Sequence, residues 1–213
     1  MTIQFDKYFM EKNRLETLID GIFAIVMTLL VMTVVVPQRE TVLQGTGFME
    51  MLRSKFHDVA NYALSFTLLA IFWIQHHEQA HFIKKTDPVH IWINIATLFF
   101  IALFPFSTSL VTEFPDQDLA EIVFGANLLM VGVLFLTNWC YATGKRRLVD
   151  DGISGADIAI GRNKCLLVIS IALVSIALLQ AYSPITADVF WAIPLLMLSG
   201  HLFKKRKKVA NAS

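Results

Sequence analysis

An α-helix needs about 20 consecutive, mainly apolar residues to cross the hydrocarbon of a bilayer. Six stretches of this 213-residue chain reach or approach that length: about 15–36, 58–75, 89–111, 119–142, 165–182 and 187–203. Such runs are too long for membrane strands, and lipid offers backbone groups no water to bond. The expected fold is therefore all-α, a polytopic membrane protein with six transmembrane helices. Charge content agrees: only 16% of residues are charged, against about 25% in a soluble domain. The deficit runs along the whole chain, which excludes a soluble domain carrying one anchor. The first dozen residues, MTIQFDKYFMEK, lack a short apolar core and cleavage site, so they are not expected to be a signal peptide.

The loops set the orientation. With six spans both ends share a side, and that side collects 15 of the 18 basic residues, from Lys7, Lys12 and Arg14 to the KKRKK run at 204–208. The other side keeps Arg39, Arg53 and Lys55. Basic residues accumulate in cytoplasmic loops, so both termini are expected in the cytoplasm of a multi-pass cell-membrane protein. The loop TEFPDQDLAE on the opposite side holds four carboxylates and no base, which concentrates cations or is simply solvated.

The first span reads RLETLIDGIFAIVMTLLV from Arg14 to Val31. At 100° per residue, Ile25, Leu29 and Met32 form one apolar stripe, flanked by Gly21 and Thr28, while Asp20 lies about 140° away. A carboxylate at that depth needs donors from other helices. Arg14 is on a different face, so pairing within the helix is disfavoured and pairing between helices or subunits is left open. The second span ends in Trp73, His76, His77 and His81 at the depth of Asp20, and the third places Asn94 at a matching level. Indole and imidazole N–H groups can satisfy a carboxylate.

Other chemistry finds little support. HHEQAH could seed a metal site, but a multi-box histidine enzyme needs more histidines than the six present, and polar glue between helix ends explains the cluster more simply. Cys140 and Cys165 make neither a disulfide framework nor a metal spacing. No nucleophile constellation, phosphate-binding glycine loop or TVGYG filter occurs. No enzyme, metal, cofactor or nucleic-acid partner is expected.

Several stretches together resemble the prokaryotic members of the transmembrane protein 175 family, relatives of the lysosomal potassium channel. The family motif is Arg, three residues, then Phe-Ser-Asp. Here Arg14 and Asp20 match at that spacing, with Leu18-Ile19 in place of Phe-Ser. The Asp20-Gly21-X-X-Ala24-Ile25 run, Trp73 with His76-His77, and Asn94 with Pro105-Phe106-Ser107-Thr108 also look like the family pattern. The resemblance implies that 1–213 is one six-helix channel domain, assembled as a homotetramer in the lipid bilayer and selective for potassium ions. It implies a central pore lined by the first helix and no carbonyl filter. Carried over by position, the constriction falls on Ile25, with Leu29 and Met32 outward and Thr28 handling partly dehydrated ions. Arg14, Asp20, Trp73, His76, His77 and Asn94 then form a structural polar network. The competing expectation is a small secondary transporter or proton-coupled carrier that uses Asp20 and the His76/His77 cluster as a relay, although carriers usually show internal repeats.

Overall fold

The computed structural model describes residues 11–36, 47–181, 190 and 192–196. Its helices are α1 (Lys12–Leu29), α2 (Phe48–Ser54), α3 (Phe56–Phe82), α4 (Pro88–Ala102), α5 (Phe104–Glu113), α6 (Asp118–Thr143) and α7 (Gly155–Ala181). Among the described residues, five stretches are long and apolar enough to cross a membrane: Lys12–Thr33, Phe48–Phe82, Pro88–Glu113, Asp118–Arg146 and Gly155–Leu178. The all-helical, multi-span architecture is as expected. The expected sixth span falls mostly outside the described residues; Phe190 and residues 192–196 are helical.

The helix ends have local causes. α1 tightens into a 3₁₀ turn over Leu30–Thr33, where the Thr33 hydroxyl donates to the Leu30 carbonyl at 2.8 Å. Asp87 caps α4 by accepting from the His90 N–H at 2.9 Å, with Pro88 in the first turn, where no N–H is needed. The third span breaks at Leu103, between α4 and α5. Pro105 has no N–H to continue the ladder and its ring crowds the preceding turn. The second span differs from expectation at both ends. It begins with the separate short helix α2, and α3 runs on to Phe82 rather than stopping near Gln75. The extension persists because Gln75 and Gln79 are buried and bonded rather than solvated: their side-chain N–H groups donate to Cys165 Sγ at 2.9 and 3.5 Å.

α6 is the central post, packed against α4, α5 and α7, while α1 leans on α3, α4 and α5. Phe72 stacks on Phe135 at 5.4 Å between centroids and meets Phe104 edge-on at 6.2 Å, which locks α3 to α5 and α6. In lipid such contacts act through close packing rather than water exclusion. The α6–α7 contact is close at Gly125 and Gly132, where a Cβ would lie 2.9 Å from the Ile176 side chain and 3.1 Å from that of Ile169.

The loops after α3 and α6 are stitched together. Ile83 and Val149 form an antiparallel bridge, Lys84 N–H donates to the Leu148 carbonyl at 2.8 Å, and Asp150 N–H donates to the Phe82 carbonyl at 3.2 Å. Tyr141 donates to Asp87 at 2.7 Å and accepts from Arg147 at 2.8 Å. The loops carrying Lys84–Lys85 and Lys145–Arg147 therefore share one side of the bundle.

Candidate functional site

α1 is asymmetric. Leu15, Ile19, Phe23, Val26, Leu30 and Thr33 are buried against the bundle, none more than 4% exposed. Ile25, Leu29 and Met32 are 55%, 49% and 73% exposed. These are the stripe residues derived from helical periodicity, and the protomer covers none of them. Leu18 is exposed on the same arc, about two turns before Ile25. Thr28 is also exposed, and its hydroxyl donates to the Ile25 carbonyl at 2.7 Å. That bond leaves the hydroxyl oxygen with lone-pair capacity facing away from the bundle. A Cβ at Gly21 would meet nothing within 4 Å.

The polar residues at the other end of α1 divide into four groups. Trp73 donates its indole N–H to Asp20 Oδ1 at 2.9 Å, bridging α3 and α1. The same indole stacks on the His77 ring with centroids 6.2 Å apart. Asp20 is exposed at the margin of the packed face.

His76 points elsewhere. Its ring meets Phe135 edge-on at 6.3 Å, and its buried Nε2 has no hydrogen-bond partner among the described residues. Asn94 is buried and also separate from Asp20. Its amide donates to the His90 carbonyl at 2.8 Å and to Asn138 Oδ1 at 3.2 Å, so it ties α4 to α6. Arg14 is exposed, with no side-chain partner among the described residues of the protomer. Of the residues expected to form one network, Asp20, Trp73 and His77 are joined by hydrogen bond and ring stacking, whereas Arg14, His76 and Asn94 make no hydrogen bond to these three among the described residues. Depth along the membrane matched all of them, but azimuth around each helix separates them.

Ile19 explains one departure from the family motif. It is 2% exposed within the core, so an apolar residue suits the position where the motif carries a hydroxyl. Sequence reasoning missed three attachments. Lys12 reaches the Ala80 carbonyl at 3.0 Å and Glu16 at 3.1 Å, tethering the start of α1 to α3. His90 pairs with the Thr86 hydroxyl at 2.9 Å. The two glutamines on Cys165 join α3 to α7. Glutamine spacing i, i+4 within an otherwise apolar helix was the available signal for the last of these. Among the described residues, no three His, Cys, Asp or Glu side chains are placed to share a metal ion.

Fold and site together define a small polytopic helical membrane protein whose first span turns an uncovered apolar face away from its own bundle. Residues 14–105 match the family described as the endosomal/lysosomal potassium channel TMEM175. A potassium channel of Chamaesiphon minutus is 30% identical over 142 residues, covering 65% of this chain and 70% of that protein. A potassium channel of Streptomyces collinus is 29% identical over 144 residues, covering 66% and 68%. The crystal structure of a lysosomal potassium-selective channel TMEM175 homolog from Chamaesiphon minutus superposes with a TM-score of 0.77 at 23% identity, covering 87% of this chain and 95% of that one. The chain belongs to the TMEM175 family.

Proposed function

We propose that this protein is a potassium-selective cation channel of the leak type, a homotetramer whose four α1 helices surround one pore. The observation that carries the reading is the uncovered face of α1, where Ile25, Leu29 and Met32 stand free in the protomer while the opposite face is fully packed. Four copies facing an axis give stacked apolar rings, and an apolar ring gates by dewetting. Thr28, beside the ring, supplies the oxygen nearest the constriction. The larger, more weakly hydrated potassium ion sheds water more readily than sodium, so selectivity without a carbonyl filter is expected to be moderate. The names of the relatives from Chamaesiphon minutus and Streptomyces collinus support potassium as the cargo.

In this reading the basic loops face the cytoplasm, with both termini on that side of the cell membrane. Asp20, Trp73 and His77 hold α1 to its own bundle at the cytoplasmic mouth rather than binding ions. Arg14, exposed beside them, is free to meet a neighbouring subunit. Potassium is cargo, and no catalytic step or cofactor is assigned.

The test is purified protein in planar bilayers under a potassium gradient. Unitary currents reversing near the potassium equilibrium potential are expected, and Ile25→Asn should alter their conductance or selectivity. Transport that lacks unitary currents or requires a proton gradient would replace the channel reading with a carrier.

A further inference from the structure

A cleft of about 320 Å³ opens between the last two turns of α3 and the first turns of α7, with Trp139 of α6 among the residues lining it. It exists because α7 is drawn onto α6. Gly161 lies so close to the Trp139 ring that a Cβ there would come within 2.6 Å of ring carbon, and the indole N–H donates to the Ile158 carbonyl at 2.9 Å. α7 then reaches α3 through long side chains, the Lys164–Glu78 ion pair and the glutamines on Cys165, with the cleft beside them.

Its depth and lining are specific. α3 ends at Phe82, α6 at Thr143, and α7 starts at Gly155, so three spans terminate around it. That is headgroup level, where tryptophan is enriched. Charges of both signs line it: Lys164 and His81 can donate, and Glu78 and Asp157 can accept. Lys164 gives one N–H to Glu78 and keeps two. Gln75 and Gln79, each 3% exposed, also line the cleft, and each has an amide oxygen with no hydrogen-bond partner among the described residues. Phe82 and Ile160 add apolar surface for the start of an acyl chain.

A purely anionic headgroup would meet two carboxylates here, and a purely cationic one would meet Lys164. A zwitterion with phosphate and ammonium separated by a short linker satisfies both. We propose that this cleft seats the headgroup of an aminophospholipid of the phosphatidylethanolamine type, with Lys164 and His81 on the phosphate and Glu78 and Asp157 on the ammonium. The seat lies away from the stripe of α1 and does not depend on ion conduction.

The experiment measures lipid retained by the full-length protein after reconstitution into vesicles of equal phosphatidylethanolamine, phosphatidylcholine and phosphatidylglycerol, followed by solubilisation and mass spectrometry. The wild type is expected to enrich phosphatidylethanolamine about fivefold over each of the others, the ratio that roughly 1 kcal/mol confers. Phosphatidylcholine carries the same charges but no ammonium N–H, and phosphatidylglycerol lacks the cation. The double variant Glu78→Lys with Lys164→Glu preserves an ion pair between α3 and α7 while reversing its polarity, and it should lose the enrichment. Asp157→Asn keeps an acceptor for its bond from Ser154 and should reduce enrichment partially. Equal retention of the three lipids by the wild type, or undiminished enrichment in the reversed pair, overturns the proposal.

Discussion

Trp73 spends its only hydrogen-bond donor on Asp20, 53 residues earlier, across the α1–α3 junction. Beyond the Lys12–Ala80 bond at the start of α1, the pair is the one side-chain hydrogen bond among those of the described residues that joins α1 to another helix. A hydrogen bond to a carboxylate is worth more than a neutral one, and exposure to water or lipid headgroups reduces it. Trp73→Phe and Asp20→Asn should each destabilise the protein in detergent by about 0.5–1.5 kcal/mol. Their double variant should show coupling of at least about 0.5 kcal/mol in denaturant unfolding. Strict additivity would mean the bond contributes nothing.

The two faces of α1 should respond differently to mutation. Phe23 is 2% exposed, and Phe23→Ala should cost about 3–5 kcal/mol and lower the yield of folded protein. Ile25→Ala, on the uncovered face, should leave protomer folding within about 0.5 kcal/mol of wild type while changing potassium flux in liposomes. Matched losses of folded protein in both variants would place Ile25 in the protomer core.

Gly132 and Gly21 make a similar contrast. Gly132→Val pushes a side chain into Ile169 and should cost about 1–3 kcal/mol by prying α7 from α6. Gly21→Ala meets no neighbour and gains about 0.5–1 kcal/mol of helix preference in the protomer. Thermal unfolding of both variants checks the sign of each effect.

Asn94→Leu should be costly despite its added apolar volume. It strips Asn138 of a buried donor and the His90 carbonyl of its side-chain bond, for a loss of about 1–3 kcal/mol. Pairing it with Asn138→Leu removes both buried polar partners and should recover part of that loss. A double variant no more stable than Asn94→Leu would exclude the Asn94–Asn138 bond as the cause.

The spans were legible because hydrocarbon demands one kind of helix and writes it as long apolar runs. The stripe on α1 was legible for the same reason, since Leu15, Ile19, Phe23, Val26 and Leu30 repeat at helical spacing opposite Ile25 and Leu29. The reach of Trp73 to Asp20 followed from depth alone, because antiparallel neighbours bring residues of equal depth close together. What depth could not supply was azimuth. Asn94 shares the level of Asp20 yet faces Asn138, 44 residues onward, and His76 faces Phe135 rather than the carboxylate. The end of α3 was misplaced for a different reason. Gln75 and Gln79 read as the polar edge of a span, and only the position of Cys165 on another helix shows that they are interior.

The stitch between Ile83 and Val149 bears on how such a chain is made. Val149 is synthesised after the whole of α4, α5 and α6, so the bridge closes only when the third and fourth spans have both been threaded and returned to the starting leaflet. A span left behind on the wrong side strands Leu148 and Val149 far from Phe82 and Lys84. The few hydrogen bonds of this seam are thus a receipt for correct threading, issued while the final third of the polypeptide is still emerging.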